Sequence, residues 1–434
     1  MKLPVQKLLA LLPPSLLDRL AVQYAVNAVN QIRLTGQAVF LCLLNGLVNH
    51  PKLTQRLLEE TYQQLHGHTA DHSSFGKRLE QINPDYFAAL FRDLSRQMEA
   101  RMTPGDSHSL RPRRVDATTV VLSAKLLAFG IHVHSGGRAG TDHAKRHIKT
   151  VFALGEDGLP EFLRLCRAQT EANDNPALGD AMIAATRPGD LWIVDAGLFD
   201  RDRLVQIHQK DGFFLVPQHG QKLRVREAVW AAPAPDPAPP PPARGAGKKR
   251  TPPPSRLLRV ERAVFENSND AVLPSRRRKW SQLPLLVLHG ERWDVRRQAW
   301  QPWTLLTNLP LSADRAHAGL FTFVEVLELY RSRWGIELFF KFLKQHLSYA
   351  HLTSRNENGI QVLIWMALIT AVLLIWYQRT TGIDRGWRSV KFWFAEAVRA
   401  WTQERLRTEL APGGTGPPCG ARCGPASTGA LGAG

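Results

Sequence analysis

YRSRWGIELFFKFLK, residues Tyr330 to Lys344, decides how the rest of the chain is read. At about 100° per residue, a helix here gathers Tyr330, Arg333, Glu337, Lys341 and Lys344 within about 80° of one another. Leu329, Ile336, Phe339, Phe340, Leu343 and Leu347 fill the adjoining arc of about 100°. One side is apolar enough to bury. The other carries a line of charge with one carboxylate at its centre. A solvated helix shows the same face, with an Arg333–Glu337 pair at i,i+4 worth a few tenths of a kcal/mol.

The spacing Tyr330-x2-Arg333-x3-Glu337-x6-Lys344 resembles the Y-R-E-K signature of bacterial insertion-sequence transposases with a DDE active site. The resemblance implies that Glu337 is the third metal-binding carboxylate. It also implies that Tyr330, Arg333 and Lys344 contact DNA near the reacting phosphate, and that two more carboxylates lie upstream at strand ends.

Both have candidates. Residues 1–108 read as helical: Ala25 to Val48, Leu53 to Leu65, a helix capped by Ser73-Ser74, and Tyr86 to Met98. Arg111-Pro-Arg-Arg114 reads as a basic hinge into Val115–Leu122, a β-branched strand that starts with Asp116. Ile148–Leu154 and Glu161–Gln169 form a hairpin around Gly155-Glu-Asp-Gly158. A helix from Asp174 to Ala185 leads to the strand Leu191–Asp195, followed by a helix from Arg201 and a strand at Phe213–Pro217. Strand, hairpin, helix, strand, helix, strand is the order of a ribonuclease-H-like α/β core, with residues 109–217 as its first part. Asp195-Ala-Gly-Leu-Phe199 resembles the family's second-Asp motif.

Asp116 and Asp195 are 79 residues apart, and Asp195 and Glu337 are 142 apart. The second gap requires an insertion, placed at 218–310 and read as β-rich, as family members carry there; its closing Leu-Leu-Thr-Asn308 resembles the family's last insertion strand. Residues 311–407 are expected to complete the core. Ala231 to Pro254 reads as a Pro-rich, basic mobile loop, and 408–434 as a disordered Gly/Pro tail. Between Ala243 and Lys279 eleven Lys or Arg face three acids, and Trp280, Trp293, Trp300 and Trp303 accompany them. That pattern suits gripping a phosphate backbone and stacking a base, with Trp303 as the candidate. Core packing explains any single Trp better.

A net charge of +18 over 434 residues favours a polyanionic partner, nucleic acid or an anionic surface. Four cysteines, two of them (Cys419 and Cys423) in the tail, argue against a disulfide scaffold. The opening MKLPVQKLLALLPPSLL is broken by Pro13 and Pro14 and lacks a small-residue cleavage site, so it is not read as a signal peptide. Val362–Tyr377 has sixteen residues without a charge, which fits a buried core helix or a short membrane span. His132, His134, His143 and His147 offer zinc spacing, but no cysteine lies nearby.

The resemblance implies a transposase cutting its element's ends by metal-dependent hydrolysis and joining the 3′ ends to target DNA. Asp116, Asp195 and Glu337 would hold two Mg²⁺ ions, with Mn²⁺ able to substitute. The implied partners are double-stranded DNA (terminal inverted repeats and target) and a second copy in a synaptic homodimer. No membrane partner is expected, and the expected location is bacterial cytoplasm, at the nucleoid when bound. A DNA-binding derivative that no longer cuts is the alternative.

Overall fold

A computed structural model describes residues 2–27, 33–102, 110–122, 146–166, 169–171, 174–218, 220, 222–233, 254–266, 274–312, 321–352, 354 and 356–410. His132, His134 and His143, nearly all of the Pro-rich loop, and the tail beyond 410 lie outside them.

Six helices come first: α1 (Lys2–Leu11), α2 (Pro14–Gln23), α3 (Gly36–Asn49), α4 (Gln55–His66), α5 (His72–Gln81) and α6 (Pro84–Met102). The helix expected from Ala25 starts only at Gly36, because Thr35 supplies its cap by accepting from the Ala38 amide at 3.2 Å. Likewise α5 is capped by Asp71, which accepts from Ser73 at 2.8 Å, and not by the serines themselves.

The strand order expected for the core is found. It runs β1 (Arg111–Val121), β2 (His147–Leu154), β3 (Pro160–Cys166), α7 (Asp174–Ala185), β4 (Asp190–Ile193), α8 (Arg201–Gln209) and β5 (Phe213–Pro217). Next come β6 (Leu223–Ala231), β7 (Ser255–Phe265), α9 (Pro274–Gln282), β8 (Leu285–Asp294) and β9 (Ala299–Thr307). A short pair, β10 (Leu311–Ser312) and β11 (Phe321–Thr322), leads into α10 (Phe323–Arg331), α11 (Trp334–His346), α12 (Glu357–Thr381) and α13 (Trp387–Leu410).

The inserted strands extend the core sheet. One mixed sheet has the order β3-β2-β1-β4-β5-β9-β8-β7-β6, with β1, β4 and β5 parallel and the remaining pairs antiparallel. The Leu-Leu-Thr-Asn run makes the seam. Buried Asn308 accepts from the Phe214 amide at 2.9 Å and donates to Gly212 at 3.0 Å, while Thr307 donates to the Phe214 carbonyl at 2.6 Å.

Arg111–Arg114 is strand, correcting the hinge reading. Asp190, 2% exposed, receives Arg113 at 2.8 Å, Arg111 at 3.0 Å and the Arg187 amide at 2.8 Å. Arg113 also lies over the Trp192 ring, 4.2 Å from its centroid. These contacts fix the parallel register Arg111↔Asp190 to Arg114↔Ile193. On one side of the sheet Val115, Val151, Trp192, Phe214 and Leu306 pack in a cluster that takes in Leu178 and Met182 of α7, Leu204 of α8 and Trp280 of α9. The other side carries α10 and α11. There Phe152 meets Phe339 and Phe340, and Ile193 and Leu215 share a cluster with Val326 and Leu327.

The apolar run lies within α12, whose most apolar window is 89% buried inside the protein. It packs against α3, α5, α6 and α13, and one buried cluster runs through the first six helices, α11–α13 and the β2 face. By length and composition this helix could cross a membrane; by burial it is a core helix. It also ties the first helices down, since Asn358 donates to the Leu79 carbonyl at 2.9 Å and the Ile82 carbonyl at 2.7 Å.

Candidate active site

Residues 111 to 114 of β1 pair with 190 to 193 of β4 at a constant offset of 79, the separation of Asp116 and Asp195. Asp116 lies two residues past the last β1 residue paired with β4, and Asp195 two residues past the last paired residue of β4. Alternation then fixes the side. Asp116 lies directly opposite Phe152 in the β1–β2 pair, so it is on the face packed by α11. Asp195 follows Leu191 and Ile193, which belong to the same face. It stands just past the strand, exposed, and its Oδ1 accepts from Gly197 at 3.4 Å at the head of a short 3-10 turn. The side chain of Asp116 is half-buried and accepts from the Ala117 amide at 2.7 Å.

Glu337 sits in the first turn of α11, which packs on β1 and β2. The stretch expected to form one helix is two, with Ser332 and Arg333 at the joint. Arg333, Gly335 and Ile336 donate to carbonyls three residues back, at 3.0, 2.9 and 3.1 Å, in place of four. Ser332 donates to the Leu329 carbonyl at 2.6 Å, tightening the same turn. The two faces are nevertheless as the periodicity requires. Ile336, Phe339, Phe340, Leu343 and Leu347 are buried, while Glu337 and Lys344 are half-buried and Lys341 is exposed.

Arg333 links the parts. Its Nη2 donates to Glu337 Oε1 at 2.8 Å, and it interacts electrostatically with Asp195 and Tyr330. Burial alone would lower its proton affinity; Tyr330, Glu337 and Asp195 together raise it above the ordinary arginine value. Burial pushes the Tyr330 phenol up, and the charge of Arg333 opposes that. Arg292, on β8 of the insertion, also acts on Tyr330. Burial holds the Lys344 ammonium below its usual range, and Lys344 has no hydrogen bond or ion pair among the described residues.

Asp195, Tyr330, Arg333 and Glu337 are thus linked through Arg333 beyond the end of β4, and Asp116 lies at the middle of β1 on the face packed by α11. The three carboxylates do not meet as tightly as a single-ion triad. Among the described residues, three such ligand atoms lie within 4.8 Å of one another only at Glu59, Asp71 and His72, where His72 Nδ1 is 3.3 Å from Glu59 and 3.5 Å from Asp71. That group was missed because its members come from the interior of α4 and the start of α5.

Trp303 is placed by packing. It faces Gly290 across the β8–β9 pair, and a Cβ at Gly290 would come within 2.0 Å of its ring. It borders the apolar cluster of α10 and the inserted strands, half-buried, together with Tyr330. Trp293 and Trp300 meet edge to face, and Trp280 donates to Asp202 at 2.9 Å.

The sequence model described as the transposase DDE domain matches residues 110–373. A putative transposase for insertion sequence element IS4SA from Synechocystis sp. is 37% identical over 70 residues, 16% of this chain and 20% of that one. The transposase for insertion sequence element IS231B from Bacillus thuringiensis subsp. berliner is 22% identical over 317 residues, 68% of this chain and 62% of that one. The chain therefore spans a fifth of the first relative and less than two thirds of the second. Among solved structures, the piggyBac transposase synaptic complex with hairpin DNA matches at 9% identity and a TM-score of 0.44, over 93% of this chain and 81% of that one, a likeness too loose to place residues.

Proposed function

The chain belongs to the transposase DDE-domain family, and on that premise we propose that it cuts DNA at the ends of an insertion sequence and joins the freed 3′ ends to target DNA. One observation carries this reading: Arg333 acts on both Asp195 and Glu337, and Asp116 lies two residues past the last β1–β4 pair on the face that α11 packs, which supports grouping the three carboxylates. The all-oxygen set Asp116, Asp195 and Glu337 suits a hard divalent cation, Mg²⁺ with Mn²⁺ as substitute. A pair of such ions supplies an acidified water or 3′-hydroxyl and charge at the leaving oxygen.

The protein's own residues do the rest. Arg333 and Lys344 would face charge developing on the phosphoryl oxygens, with the Tyr330 phenol acting on the Arg333 guanidinium through charge. The Y-R-E-K spacing supports this assignment. The strand order β3-β2-β1-β4-β5 supports a ribonuclease-H-like core over 109–217 and 311–407, with 218–310 as the insertion and residues 1–108 binding the element end. A synaptic homodimer on terminal repeats is the assembly this reading implies. For Trp303 the packing on Gly290 supports a structural role more directly than base stacking.

The test is incubation of the full chain with a labelled copy of its own flanking inverted repeats and Mg²⁺. Nicked ends with free 3′-hydroxyls, and later joined products, are expected. Binding without nicking in either Mg²⁺ or Mn²⁺ would favour a derivative that holds DNA and no longer cuts.

A further inference from the structure

Glu337 is useful to the site only if α11 is held at one distance and angle from β1. Helix α10 does not secure that, because the chain breaks at Ser332-Arg333 and α11 starts afresh. Beside the apolar packing of Phe339 and Phe340 on Phe152, Arg114 reaches from β1 to the joint itself. Arg114 lies two residues before Asp116, on the same face of β1. Its Nε donates to Ser332 Oγ at 3.0 Å, and its Nη1 donates to the Gly155 carbonyl at 2.9 Å in the β2–β3 turn. A Cβ on Gly335 would sit 3.9 Å from Nη1 and 4.0 Å from Cδ, so the side chain runs alongside the first turn of α11. Ser332 passes the hold on through its own bond to Leu329.

The guanidinium is mostly buried, and its hydrogen bonds go to a hydroxyl and a carbonyl; Glu156 and Asp157 act on it only through charge. A residue needed for charge pairing alone would sit otherwise. We infer that Arg114 is a positioning residue that clamps the α10–α11 joint to β1 and the β2–β3 turn, and so sets the reach from Glu337 to Asp116. The inference rests on the proposed site. Lysine cannot replace it, since one ammonium lacks the two diverging donors.

The experiment uses the full chain and four variants: Arg114→Met, Arg114→Lys, Ser332→Ala and Ser332→Thr. The first readout is Mn²⁺ binding without DNA, counting the manganese lost in Asp195→Ala. Arg114→Met should weaken that binding by about tenfold, the lower end of what losing an orienting partner of a ligand costs, since Arg114 orients Glu337 only through the joint. Arg114→Lys should follow it, Ser332→Ala should weaken it less, and Ser332→Thr, which keeps the hydroxyl, should match wild type. Affinity for end DNA should stay within about twofold, because no phosphate contact is removed. The second readout is amide exchange at Gly335 and Ile336, expected to quicken in Arg114→Met while α12 stays protected. Should Arg114→Met fail to fold, the serine pair decides alone. Unchanged manganese binding and exchange in Arg114→Met and Ser332→Ala would overturn the clamp. A wild type that loses no manganese on Asp195→Ala overturns the site instead, and the exchange rates then still report whether Arg114 holds α11.

Discussion

Asp190 shows how a residue outside the chemistry can decide it. Its carboxylate is buried with two guanidiniums and an amide, and it pins the β1–β4 register from which β1 runs on to Asp116 and β4 to Asp195. Removing one partner of a buried pair strands the other charge, so Asp190→Ala should cost roughly 3–5 kcal/mol. Urea denaturation of the variant measures this. Arg333 and Glu337 separate in a different way. Arg333→Ala should weaken end binding while manganese still loads; Glu337→Ala should keep DNA affinity and lose cleavage. Parallel binding and Mn²⁺-supported nicking assays check the pair, and wild-type cutting by both variants would reduce the helix to a solvated face. Asp116, Asp195 and Glu337 could be singled out in the sequence because their types and spacing are unusual together. Asp190 was not, since a carboxylate opening a strand reads as a turn residue until Arg111 and Arg113 are seen beside it.

Strands and helices of the core were readable to within a few residues, because β-branched runs and Gly turns mark their ends. The joint between α10 and α11 was not. Periodicity carries smoothly through Ser332 and Arg333, whose backbones stay in the helical region, and only the shortened hydrogen bonds reveal the break. The start of α10 was readable and was overlooked: Thr322-Phe-Val-Glu325 is a capping box, with Thr322 Oγ1 accepting from Glu325 at 3.3 Å and Glu325 accepting from the Thr322 amide at 2.8 Å. Thr322→Ala should lower stability by about 1 kcal/mol, seen as a reduced urea midpoint with unchanged slope. For α12, composition alone fits either a membrane or a core. Burial against α3, α5, α6 and α13 decides for the core, and such long-range packing leaves no local mark in the sequence.

At the scale of the whole molecule, charge and the continuous sheet set the behaviour. With +18 on the chain, end binding should release counterions, and log affinity should fall steeply and linearly with log salt. A flat affinity between low and moderate salt would contradict the electrostatic account. The insertion was legible as β-rich; its fusion with the core into one sheet was not, because it depends on Thr307 and Asn308 meeting β5 across 90-odd residues. The central claim is that Asp116, Asp195 and Glu337, drawn from three distant parts of the chain, form one metal site. Crystals of the full chain with end DNA and Mn²⁺, measured at the manganese edge, test it most directly. The account predicts anomalous density among these three carboxylates, lost in Asp195→Ala. Density confined to Glu59, Asp71 and His72, with none among the three, would contradict it.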